Sequence, residues 1–140
     1  MKKIILLLIA GLTLVSFTST KTTDFSIVGK WKGEDQKEVG YFIFQEDGYA
    51  FMEVRGMKLG GKDFEVKGKK GSMSYTIDYN TTPIPLDLII TLTEENESRS
   101  QKFIIEFIDN NTIKMAMGTP DTRPTSFEDV DSLVFHRVED

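Results

Sequence analysis

A chain of 140 residues, 39% hydrophobic and 28% charged, is long enough for one core and too apolar to remain disordered. Its 22 acidic residues outnumber 17 basic ones for a net charge of −5, and the basic residues are scattered singly, which argues against the basic patch that a nucleic-acid backbone requires. The absence of cysteine excludes disulfides, thiolate metal sites, a thiol nucleophile and the acylated cysteine of a lipoprotein.

In chain order, Lys2 and Lys3 precede an apolar run over residues 4–15 that only Gly11 and Thr13 interrupt. Residues 1–20 read as a signal peptide, so export to the periplasm or the outside is expected. The run is shorter than the roughly 20 apolar residues that span a bilayer, and no stable membrane span is expected after processing. Small residues precede several candidate cleavage points (Ser16, Thr18, Thr20) but include no alanine pair, so an uncleaved hydrophobic tail is the alternative. Removing the leader leaves 15 basic against 22 acidic residues, a net charge near −7. Residues 21–26 read as a polar linker and residues 27–140 as one domain.

That domain reads as short alternating segments with no long helix. Val28-Gly29-Lys30-Trp31-Lys32-Gly33 is the first strand and carries the single tryptophan. Gly29 and Trp31 share a face, so the indole points inward where its neighbour leaves room. Residues 39–45 set Phe42 and Phe44 against Tyr41 and Ile43. Asp47-Gly48 then predicts a tight hairpin into residues 49–54, because glycine accepts the positive φ such a turn demands. Gly56 and Gly60-Gly61 are expected to break the next connection before a strand over 62–67 and a basic turn over 67–71.

Residues 72–79 alternate cleanly, with Met73, Tyr75, Ile77 and Tyr79 opposite Ser72, Ser74, Thr76 and Asp78. Pro83 and Pro85 are expected to hold their connection out of the ladder, after which Leu86, Leu88, Ile90 and Leu92 point inward. Residues 94–100 read as a charged loop. Residues 101–108 and 112–117 pair around Asp109-Asn110-Asn111, residue types that tolerate left-handed backbone. Residues 118–131 are irregular and 132–138 form the last strand. About nine strands at this spacing predict an all-β antiparallel up-and-down barrel of eight to nine strands, and the scarcity of edge-blocking prolines favours closure over an open sandwich. Leu133, Phe135 and Arg137 share a face, and Arg137 is placed to lie across Trp31 if the first and last strands are neighbours, a stacking worth about 0.5–2 kcal/mol.

Gly29-x-Trp31 on the first strand with Arg137 on the last resembles the calycin signature of lipocalins and their relatives. More specifically, Trp31-x-Gly33, Asp47-Gly48, Tyr75-x-Ile77-Asp78 with Pro83 and Asp87, residues 109–114, Arg123-Pro124-x-x-Phe127, and Leu133 with Arg137 resemble the lipocalin-like domains of secreted proteins in planctomycetes and related bacteria. The resemblance spans nearly the whole mature chain. It implies a small antiparallel barrel, a cavity for a small apolar ligand and no established catalytic residues. The chain lacks the paired cysteines with which many lipocalins tie down the C-terminus.

Candidate site residues are few. Trp31, Phe42, Phe44, Tyr75, Met115 and Met117 form either a filled core or the wall of a ligand cavity, since a barrel of about eight strands can just hold one small ligand. Phe127 is expected to enter the interior from a short plug, with Pro124 stiffening the loop and Arg123 pairing with a carboxylate. Asp78 and Asp87 read as turn-capping carboxylates, and residues 128–131 as a solvated acidic turn lacking the spaced ligands of a calcium loop. His136 is the only histidine, with no positioned partner for acid–base work or metal binding. No metal, cofactor or catalytic residue is therefore expected. Sequons at Asn80, Asn96 and Asn110 fall where turns are expected. Two functions follow: an exported module that holds a small apolar or amphipathic molecule in its barrel, or a non-catalytic structural or interaction domain with a solid core.

Overall fold

A computed structural model describes residues 25–35, 38–128 and 130–139; the leader and most of the linker lie outside these residues. The described chain is all β: β1 (Gly29–Asp35), β2 (Glu38–Phe44), β3 (Ala50–Val54), β4 (Met57–Val66), β5 (Lys69–Ile77), β6 (Ile84–Leu92), β7 (Glu97–Asp109), β8 (Thr112–Met117) and β9 (Ser132–Val138). They pair in sequence order into a closed antiparallel up-and-down barrel, sealed where β1 meets β9 with Trp31 opposite Arg137. Closure pairs the edges that an open sheet would leave exposed.

Straight strands cannot all run antiparallel to both neighbours around a ring of nine, because direction alternates and nine is odd. β4 resolves the conflict by turning a corner. Its first half pairs with β3 as far as Gly60, and its second half pairs with β5 from Gly61 onward, with a register shift between Gly61 and Phe64. Where β4 turns away, Tyr49 just before β3 bridges directly to Ser74 of β5. Gly60 and Gly61 have φ of +125° and +80°, and a β-carbon on either would collide with the Ala50 carbonyl or the Phe51 ring. The glycine pair read from sequence as a break is thus a bend inside a longer strand.

Other boundaries also differ from expectation. The basic turn shrinks to Lys67-Gly68, since Lys69 to Gly71 pair with β4. Pro85 lies within β6, opposite Ile104, and Pro83 alone stays outside the ladder. β7 begins at Glu97, so the charged loop before it is shorter than its composition suggested. Tyr79 falls beyond β5.

The interior is filled. Ile27, Trp31, Phe44, Leu86, Ile105 and Ile113 are fully buried, and Met73, Leu88, Phe103, Met115 and Phe135 nearly so. Phe42 sits among Phe44, Phe103 and Phe135 with ring centroids 5.5–6.1 Å apart. Such offset and edge contacts fill a narrow barrel with rings rather than leaving a void.

Candidate functional site

The two ends of the barrel differ. At one end, which we call the base, the chain just before β1 folds under the sheet. Trp31 Nε1 donates to the Ile27 carbonyl at 2.8 Å, and the Tyr79 hydroxyl accepts from the Ile27 amide at 3.0 Å. The Arg137 guanidinium lies 4.2 Å from the Trp31 ring centroid and donates to the carbonyls of Val28 (2.7 Å), Ser26 (2.8 Å) and Asn110 (2.9 Å). One planar fork thus ties together the entry to β1, the β7–β8 turn and the last strand.

At the other end, the mouth, the barrel is open. A cavity of about 190 Å³ is lined by Gly33, Gly40, Phe42, Met52, Leu133 and Phe135, with Asp35, Glu38, Tyr41 and Val54 around it. Gly33 is required here: a β-carbon would fall within the Phe135 ring, which leans over it. Gly40 has room, its nearest side-chain neighbour being Val54 at 3.6 Å. Asp35 and Glu38 face each other across β1 and β2, and Arg55 in the β3–β4 turn pairs with Glu38 at 2.5 Å.

Only one of the residues singled out from sequence as cavity wall, Phe42, lines this mouth. Trp31, Phe44 and Met115 are buried in the filled interior. Tyr75 is half-buried; its hydroxyl donates to the Gln45 carbonyl at 2.7 Å, its ring meets Phe44 edge-on at 5.0 Å, and burial raises the phenol pKa above its usual value. Met117 continues the inward register of Ile113 and Met115 but is 60% exposed. The last β8–β9 pair is Ala116 with Ser132, so no β9 residue lies opposite Met117 and it stands on the rim instead of the wall.

Phe127 does not enter the barrel. Its ring lies 4.5 Å from the ammonium of Lys114, which alternates with the buried Ile113 and Met115 and therefore faces outward. Residues 118–128 form a strap across the outside of β6, β7 and β8. Arg123 fixes it by pairing with Asp87 at 2.5 Å and donating to the Phe103 carbonyl at 2.9 Å. Under the strap Ile104 and Ala116 are buried although they face away from the interior, and the apolar outer surface of β7 and β8 is why the strap packs there. Asp87 is accordingly an ion-pair partner on a strand, not the turn cap that its proline neighbours suggested. Asp78 is a turn cap: it accepts from the Asn80 amide at 3.0 Å and the Thr81 hydroxyl at 3.1 Å, bonds that hold its pKa below the ordinary aspartate value.

The sequence reading missed most of the mouth: Gly33, Gly40, Met52, Leu133 and Phe135. The shared face of Leu133 and Phe135 was visible from alternation. What could have found the rest is the cross-strand alignment of Gly33 with Gly40, which removes two adjacent side chains from one level of the wall. No family model, curated protein or solved structure matches this chain.

Proposed function

We propose that this chain is an exported lipocalin-like binding module that takes the apolar end of a small amphipathic molecule into its barrel mouth. The observation that carries the reading is the open cavity over Gly33 and Gly40, floored by Phe42, Met52 and Phe135. At about 190 Å³ it is somewhat larger than the engineered cavity of roughly 150 Å³ that stays dry and binds benzene. One ring or a short branched chain therefore fits, with the polar end left in water beside Asp35, Glu38 and Arg55. The ordered interior excludes a long buried chain, so binding is end-on and shallow. Met52 supplies an unbranched, adaptable wall.

The test is native mass spectrometry of the protein purified from its own host, followed by denaturation and extraction, with 3-phenyl-1-propanol, an amphiphile with a single apolar ring, added to the apo form as a probe. Probe binding that is abolished by Gly40→Leu, a substitution into open space within the mouth, supports the reading. A clean apo mass with no probe uptake sinks it.

The second reading, a non-catalytic interaction domain, is favoured by a specific feature of the same end. Val54, Met57, Leu133 and Met117 are exposed apolar side chains on the strands that surround the mouth. On the outer face, by contrast, Tyr41, Ile43 and Ile89 are half-buried, and Met52 points into the mouth. Val134 on the outer face of β9 and Ile108 at the end of β7 are exposed as well, so a pull-down lost on Met57→Gln would favour the rim as the contact surface and this reading over a carrier.

A further inference from the structure

A second cavity, of about 340 Å³, lies near the base of the barrel, away from the mouth, and shares no lining residue with it. This volume falls within the roughly 300–1,000 Å³ typical of small-molecule sites, whereas the mouth falls below that range. We propose that it is a separate binding site, selective for a neutral planar aromatic molecule of one or two rings.

Three phenyl rings from distant parts of the chain line the cavity: Phe25 from the segment before β1, Phe107 from β7 and Phe127 from the strap, with Pro83 and Ile84 completing an apolar wall. Phe25 and Phe107 are near-parallel at 5.0 Å and 10°, and Tyr79 continues that stack on Phe107 at 6.4 Å and 27°. An aromatic guest gains offset or edge contacts with such rings beyond the area it buries, and a saturated guest does not. The polar edge of the cavity is Thr82 and Glu106, and the Glu106 carboxylate lies 3.8 Å from the Lys114 ammonium. The Lys114 ammonium partly offsets the Glu106 charge and the rest of the lining is uncharged, which suits a neutral guest. A carboxylate oxygen still accepts a hydrogen bond from a hydroxyl or ring N–H. The wall that Phe127 supplies is held in place: Lys114 sits over its ring, and the Arg123–Asp87 pair anchors the same strap four residues upstream.

The experiment is an amide-shift NMR titration of the protein purified from its host, using 2-naphthol and its saturated counterpart decahydro-2-naphthol. The two share a skeleton and a hydroxyl and differ in aromaticity. The expected result is shifts at Phe25, Glu106 and Phe127 with Gly33 and Gly40 unmoved, and naphthol binding about two- to ten-fold tighter than the saturated alcohol, the range that aromatic pairing supplies. Phe127→Leu keeps the apolar volume and removes the ring; it is expected to erase that preference while thermal unfolding stays unchanged. Glu106→Gln retains an acceptor and is expected to leave it intact. Equal binding of the two alcohols overturns the aromatic selectivity. Shifts confined to Gly33 and Gly40 overturn the site and support the mouth instead. An absence of any shift overturns the proposal and leaves the mouth reading to its own probe.

Discussion

The base and the mouth are built from the same strands yet solve opposite problems. At the base, Trp31 is fully buried, its indole N–H has a partner, and Arg137 donates to the carbonyls of Val28, Ser26 and Asn110. At the mouth, Gly33 and Gly40 leave a level of the wall empty, and Met57 and Met117 stand 63% and 60% exposed. The contacts that close the barrel are therefore concentrated around Trp31 and Arg137 at the base, whereas the rim of the mouth leaves wall space and methionines unpacked. Apolar side chains also stand exposed nearer the base, at Tyr79 and Ile108. Regions that bind are drawn from the less tightly packed part of a fold.

The largest break of that contrast is expected at Trp31. Trp31→Ala leaves a large cavity beneath Arg137 and orphans the Ile27 carbonyl, so a loss of about 3–5 kcal/mol in urea unfolding is expected. A loss near 1 kcal/mol would show that the base is not the keystone. Next is the corner of β4. Gly60→Ala adds a β-carbon where the Ala50 carbonyl sits and imposes φ of +125° on a residue that avoids it, for an expected loss of about 2–3 kcal/mol. Arg137→Lys keeps the charge but loses the planar fork, and about 1–2 kcal/mol is expected from the bonds to Val28, Ser26 and Asn110 that a single ammonium cannot replace.

How much of this was legible follows from which physics acts locally. Alternation is a two-residue signal, so the inward faces of β5 and β6 and the pairing of Trp31 with Arg137 were readable from the chain. The corner at Gly60-Gly61 was not, because two glycines mark a turn or a bend equally well and only the odd strand count, a property of the whole ring, demands a bend. Phe127 was misplaced for a related reason. An aromatic residue in an irregular segment is apolar wherever it goes, and the competing outer surface was created by Ile104 and Ala116, residues on two other strands. Met117 kept its predicted register and lost its predicted burial, since exposure depends on where β9 begins. The mouth itself depends on Gly33 lying opposite Gly40, and register across a hairpin decides that.

A smaller effect is expected in the turn after β5. Hydrogen bonds from Asn80 and Thr81 depress the Asp78 pKa in the folded state. A depressed folded pKa contributes stability above the unfolded value, near 4, and loses it as pH falls through the lower folded value. Asp78→Ala is therefore expected to be less stable than the parent at pH 7, with the gap closing as both are taken to acid in parallel urea titrations. A gap that persists unchanged at acid pH would assign the effect to packing and not to the ionised carboxylate.

The smallest change is expected where the most apolar surface is visible. Met57→Gln together with Met117→Gln removes two exposed thioethers from the rim. Both stand more than half exposed, so unfolding should move by no more than about 0.5 kcal/mol, the usual size of a surface substitution. That null result is the informative one. Side chains this apolar gain nothing for folding by standing in water, so a double variant of parental stability that also loses probe uptake, or loses a captured partner, assigns the rim to recognition. A loss of 2 kcal/mol or about that size would instead place both methionines in the core and dissolve the contrast between the two ends.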